Sequence, residues 1–192
     1  MKKLPIIIDI ETKNKFREVV DHKNLGISLV GAYNYNTKKY ETFLENELNQ
    51  LFKILEDSSY IIGFNIKSFD IPILQTYYPG KFSDFLVFDI LDDLKEKIGK
   101  RYSLNFFGYA TLGKKKAGHG LQAVDMYREG KIEELKAYCL KDVELTKELF
   151  DYGLEHGEVF YLNEMGKVPV LVEWKKYLSP DSKKEKKLTL PF

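Results

Sequence analysis

Residues 6–12 read Ile-Ile-Ile-Asp-Ile-Glu-Thr, and the rest of the chain is best understood outward from them. The β-branched apolar run over residues 4–10 has the pattern of a short strand buried on both faces. Asp9 and Glu11 lie two apart on it, so their side chains point to the same face. They stand at its C-terminal end, where open α/β sheets place ligands. A lone Asp-x-Glu also suits an ordinary solvated strand end. What lifts it above that reading is company: Asp70 closes the block GFNIKSFD, and Asp142 closes YCLKD. Brought together, the four acids would make a pocket of about −4 charge, repulsive when empty and attractive to two divalent cations.

The segments around this block set an expected architecture. ISLVGAYNY (27–35) and KYETFL (39–44) flank Asn36-Thr37-Lys38 as a hairpin with a short loop. Residues 45–57 carry leucines, Phe52 and Ile54 at helical spacing, and YIIGF (60–64) and FLVFDI (85–90) read as two more buried strands. Helical segments broken by glycines fill 99–120. The longest helix is expected from Lys131 to about Tyr152, followed by a peripheral hairpin turning at Met165-Gly166-Lys167. The sum is an α/β fold: a mixed five-stranded sheet, three antiparallel strands and then parallel ones, with helices on both faces. One domain is expected over 1–178, with a core at 4–152 and the hairpin at about 157–177. Residues 179–192 read as a flexible lysine-rich tail.

Composition narrows the function classes. With 192 residues, 44% hydrophobic and 14% aromatic, the chain can bury one good core. A net charge of +1 gives no global basic field, so any nucleic-acid contact must come from local patches. The single cysteine, Cys139, rules out an intrachain disulfide and a cysteine-rich zinc site, which makes the cytoplasm the expected location. MKKLPIII mimics a signal peptide briefly, but Asp9 and Glu11 end its apolar run too early. No stretch approaches the ~20 apolar residues of a membrane span.

Asp70 has a competing reading, since it or Ser68 suits the N-cap of a helix running through Tyr78, with Pro72 in its first turn. Asn65 likewise suits a turn. Asp142 is harder to explain away. Ile132, Leu135, Cys139, Val143, Thr146 and Phe150 form the buried stripe of the last helix, and Lys136, Lys141, Glu144, Lys147 and Glu148 the opposite side. Asp142 falls beside Leu135, Leu145 and Leu149, on the packed flank, where a carboxylate is costly unless paired or metal-bound. Tyr138 lies one turn before it on the same face.

Asp-x-Glu on a first strand, Asn-x3-Phe-Asp some sixty residues on, and Tyr-x3-Asp in a late helix together resemble the DEDD exonucleases. More narrowly they resemble the DEDDy-type 3′–5′ exonucleases of the ribonuclease H-like superfamily, which include the proofreading domain of family B DNA polymerases. The resemblance spans roughly residues 4–152, and SLNFFGYATLGKKKAGHG (103–120) is similar to stand-alone relatives of that domain. It implies a ribonuclease H-like fold and two Mg²⁺ or Mn²⁺ ions. Asp9 would bridge them, Glu11 and Asp142 would complete one shell, and Asp70 would hold the other ion, partly through water. Such a pair, about 3.5–4 Å apart, stabilises both the attacking and the leaving oxygen. Tyr138 would orient the attacking water rather than deprotonate it, a phenol having a pKa of about 10. Thr12 would touch the 3′-terminal nucleotide, with Asn65 and Phe69 shaping the same pocket. His119 stands outside the position where the sister branch keeps its histidine base, and reads as a loop residue or phosphate contact.

Lys114-Lys115-Lys116, between Gly113 and Gly118, form a basic loop that is either a solvated turn or a steering element for phosphate backbone. Single-stranded DNA or RNA ends as substrate follow from the resemblance. The C-terminal KKLTLPF (186–192) is similar to sliding-clamp-binding peptides, with Lys187 in place of their glutamine. The expected activity is 3′→5′ exonucleolytic release of nucleoside 5′-monophosphates, DNA favoured. The alternatives are a catalytically silent nucleic-acid-binding module and a ribonuclease H-like endonuclease.

Overall fold

The computed structural model describes residues 3–114 and 121–178. Five strands, β1 (Ile6–Thr12), β2 (Ile27–Asn34), β3 (Lys39–Leu44), β4 (Ile61–Gly63) and β5 (Val87–Asp89), form one sheet in the order β3-β2-β1-β4-β5. β1–β2 and β2–β3 pair antiparallel, and β1–β4 and β4–β5 parallel. The expected mixed sheet is therefore present. Six α-helices are described: α1 (Leu48–Glu56), α2 (Asp70–Leu74), α3 (Ile90–Ile98), α4 (Leu104–Leu112), α5 (Leu121–Arg128) and α6 (Ile132–His156). A separate hairpin of β6 (Glu158–Asn163) and β7 (Gly166–Leu171) follows.

The pleat of β1 decides what lies where. Ile6, Ile8 and Ile10 enter a core shared with Leu51 and Leu55 of α1 and Ile73 of α2. Ile7 enters the opposite core with Phe107, Val143, Phe150 and Trp174. Asp9 and Glu11 share the parity of Ile7 and so lie on the face that α6 covers. Gly31, paired with Asp9 across the β1–β2 ladder, lets α6 come that close. A Cβ at Gly31 would lie 2.8 Å from Cys139 Sγ and 2.9 Å from Val143 Cγ2.

Three boundaries differ from expectation, each for a local reason. α2 stops at Leu74 instead of Tyr78. Pro79 disfavours a helical Tyr78, and the hydroxyls of Tyr77 and Tyr78 are drawn to Glu45 and Glu56. α6 continues past Tyr152 to His156, where Gly157 takes the left-handed C-cap conformation at φ 71°. The hairpin turns at Glu164-Met165, because Asn163 pairs with Gly166 and accepts the Met165 N–H at 2.9 Å. Gly166, at φ 110°, begins the second strand. Among the described residues no helix is long and apolar enough to cross a membrane. The tail and its clamp-like segment 186–192 lie outside the described residues.

Candidate active site

At the carboxyl ends of β1 and β4 a cleft of about 500 Å³ opens, with Asp9, Asp70 and Asp142 on its wall. Phe64, Asn65 and Phe69 line it from the β4–α2 connection, and Arg101, Tyr102, Ser103 and Leu104 from the start of α4. Three carboxylates from blocks sixty or more residues apart thus share one cavity. Glu11 is buried immediately behind: ligand atoms of Asp9, Glu11 and Cys139 all lie within 4.8 Å of one another.

Each acid is held differently. Asp9 sits on β1 beside the Cys139 thiol, whose Sγ is 3.6 Å from the Asp9 carbonyl oxygen and 3.9 Å from Oδ2. Burial, then the negative fields of Asp9, Glu11 and Asp142, hold that thiol well above its usual pKa. Cys139 is therefore a protonated neighbour of the acids, and the donor set for a cation is carboxylate oxygen. Hard oxygen ligands of this kind fit Mg²⁺ or Mn²⁺.

Asp70 is not the N-cap that a sequence reading allows; nor is Ser68. Phe69 occupies that position and gives no side-chain cap, while Asp70 is the first residue of α2. Its Oδ1 accepts the Ile10 N–H at 3.0 Å, which ties the β4–α2 connection to β1 across sixty residues. Burial, with the like charge of Asp89 adding, raises its carboxyl to about 7 against the opposing Ile10 hydrogen bond. A cation beside it would favour the ionised form.

Asp142 and Tyr138 lie one turn apart on α6, as the spacing requires. Tyr138 is buried, packing with Leu29 of β2 and Ala123 of α5 rather than lining the cleft. Thr12, at the irregularity that ends the β1–β2 ladder, is also buried and donates its hydroxyl to the Asn14 carbonyl at 3.0 Å. Phe69 lines the cleft and packs its ring on that of Phe16, centroids 5.3 Å apart. Lys114 pairs with Glu148 on α6 and does not line the cleft. Lys115, Lys116 and His119 lie outside the described residues.

A model of the RNase H superfamily matches residues 6–153, which takes in every strand of the main sheet and nearly all of α6. The chain belongs to the RNase H superfamily. Among solved structures, this RNase H superfamily chain is similar to the family B DNA polymerase from the hyperthermophilic archaeon Pyrobaculum calidifontis, with a TM-score of 0.64 at 18% identity. That match covers 80% of this chain and 25% of the polymerase, so the chain spans a quarter of that protein's length. At that identity the likeness is one of fold. No curated protein matches. Superfamily membership and the acidic cleft together support a nuclease that uses divalent metal.

Three residues of the site escape a reading of the sequence. Asp89, closing β5, is buried and accepts from Asn65 N (2.8 Å), Lys67 N (2.9 Å) and Leu91 N (3.0 Å). It caps α3 and pins the connection that carries Asn65, Phe69 and Asp70. An aspartate ahead of an amphipathic run is a cap signal, but here it stands inside a run that reads as one strand, FLVFDI. Cys139 reads only as one more member of a buried stripe. Arg101 sits in a charged stretch after α3 and carries no local signal.

Proposed function

We propose that the chain is a metal-dependent 3′→5′ exonuclease acting on single-stranded nucleic acid, DNA favoured, releasing nucleoside 5′-monophosphates. The observation that supports this is the convergence of Asp9, Asp70 and Asp142 on one cleft with Glu11 beside Asp9. In this reading Asp9, Glu11, Asp70 and Asp142 hold two divalent cations, Mg²⁺ or Mn²⁺. The chemistry such ions supply when bound is acidification of water and charge stabilisation on the scissile phosphate.

The chain's own residues do the rest. Ile10 N–H fixes the Asp70 carboxyl, and Asp89 fixes the backbone on which Asp70 stands. Tyr138, buried one turn before Asp142 and off the cleft wall, must turn toward the cleft to orient the attacking water. Phe69 offers a ring on the cleft wall to the terminal base. Thr12 and Asn65 complete the 3′-nucleotide pocket, and the lysines of 114–116 with His119 attract the strand. Residues 186–192 are proposed, on sequence alone, to dock a sliding clamp; equal clamp recovery with and without them would end that idea.

Single-stranded oligonucleotides labelled at the 5′ end test the activity. With Mg²⁺ or Mn²⁺ a ladder shortening stepwise from the 3′ end is expected. Internal cuts from the first time point would make the protein an endonuclease, and retarded but intact strands a binding module. Asp9→Ala should abolish the ladder, and Tyr138→Phe should slow it by about 10- to 100-fold, the cost of a misplaced nucleophile. Unchanged rates in both variants would overturn the site.

A further inference from the structure

The cleft wall carries three carboxylates and, among its described residues, a single basic side chain, Arg101. Resting on the nuclease reading above, the geometry points to Arg101 as the clamp for a phosphate of the strand other than the one being cleaved. Cations held by the acids would meet the charge of the scissile phosphate. The next phosphate along the strand, entering the same acidic cavity, needs a counter-charge from the protein. Arg101 is placed to give it.

The guanidinium is held for this role. Its Nη2 donates to Asn65 Oδ1 at 2.7 Å, and the Ser68 hydroxyl donates to the same oxygen, also at 2.7 Å. Asn65 adopts a left-handed backbone conformation at φ 69°, and its N–H is anchored on Asp89 Oδ1. A chain of contacts from Asp89 through Asn65 therefore sets where the guanidinium lies. No carboxylate among the described residues forms an ion pair with Arg101, although Lys13, Lys15, Lys67 and Lys114 each have one. One donor goes to Asn65, and the rest of the planar fork remains for phosphate oxygens, the geometry that arginine serves better than lysine. Arg101 is also exposed, so an incoming strand can reach it.

The test compares two substrates. One is a single-stranded oligonucleotide. The other is the p-nitrophenyl ester of thymidine 5′-monophosphate, which has one phosphodiester and no neighbouring phosphate. Arg101→Ala should raise KM for the oligonucleotide by about 10- to 100-fold, the weight of a charge-assisted hydrogen bond. It should cost the ester far less, and should flatten the slope of log KM against log salt by about 0.7, one single-strand phosphate contact. Arg101→Lys should recover part of the affinity, keeping the charge without the fork. Equal losses on both substrates, or an unchanged salt slope, would overturn the assignment. A wild-type protein that fails to shorten the oligonucleotide refutes the nuclease reading instead, so the two failures are distinct.

Discussion

The starts of α2 and α3 each carry a buried aspartate, and the two have opposite fates. Asp89, just before α3, spends both oxygens on backbone N–H groups of Asn65, Lys67, Leu91 and Asp92. Asp70, at the first position of α2, accepts one N–H from another element, that of Ile10, and lines the cleft. Both are raised in pKa mainly by burial. A carboxylate saturated by amides is part of the framework. One that is equally buried but accepts only the Ile10 N–H from outside its own residue, at the wall of a cavity, retains capacity for a cation. Position at a helix start does not separate the two roles; hydrogen-bond bookkeeping does.

The sharpest way to break this contrast is to neutralise each acid without changing its shape. Asp70→Asn keeps the oxygen that accepts from Ile10 and removes the charge. Cleavage should fall by roughly 10³-fold or more, the scale of lost metal-based charge stabilisation, with the urea midpoint undiminished. If Asp70→Asn cuts at the wild-type rate, Asp70 is framework too and the contrast is gone.

Asp89→Ala should do the reverse in kind. It removes the cap of α3 and leaves the N–H groups of Asn65 and Lys67 without their acceptor. The expected loss is about 2–4 kcal/mol of stability by urea unfolding, a lost cap plus buried donors left unsatisfied. Activity should fall only as far as the Asn65–Asp70 connection loosens. A variant as stable as wild type would mean that water replaces the carboxylate.

How far the sequence carried this contrast follows from the range of the forces involved. β1 and its two acids were legible because alternation and β-branching are local signals. The buried flank of α6 was legible because Asp142 falls among leucines at helical spacing, and Leu135, Leu145 and Leu149 are indeed buried. The identity of the capping acid was not legible. Asp70 precedes an apolar run as a cap would, and only the long-range bond from Ile10, across β1, commits it elsewhere. Asp89 was concealed inside what read as a continuous strand, FLVFDI, which pairs over Val87–Asp89 only. Gly31 gave no sign of its role either, since the closeness of Cys139 to Asp9 depends on a helix arriving more than a hundred residues later.

The remaining consequence concerns pH, and its sign is fixed by the direction of the Asp70 shift. Folded Asp70 holds its proton to about pH 7, against an ordinary value of 3.8. Between those values the folded state binds more protons than the unfolded chain, so stability falls as pH rises through the window and levels off above it. Asp89, also raised, adds a slope of the same sign. Glu18, lowered to about 2 chiefly by its hydrogen bonds from Arg128, and Glu45, lowered chiefly by Lys13, act in the opposite sense and lower on the scale. They favour the fold above their ordinary values and lose that contribution as pH falls toward 2. In metal-free buffer, then, the advantage of Asp70→Asn over wild type should widen by about 3 kcal/mol between pH 4.5 and pH 8. Urea midpoints from pH 4.5 to 8 with a chelator present read this directly. Parallel curves would show that the Asp70 carboxyl ionises freely in the fold. Saturating Mg²⁺ should raise the wild-type curve at pH 8 more than that of Asp70→Asn, because only the wild type has the buried Asp70 carboxylate charge for a cation to balance.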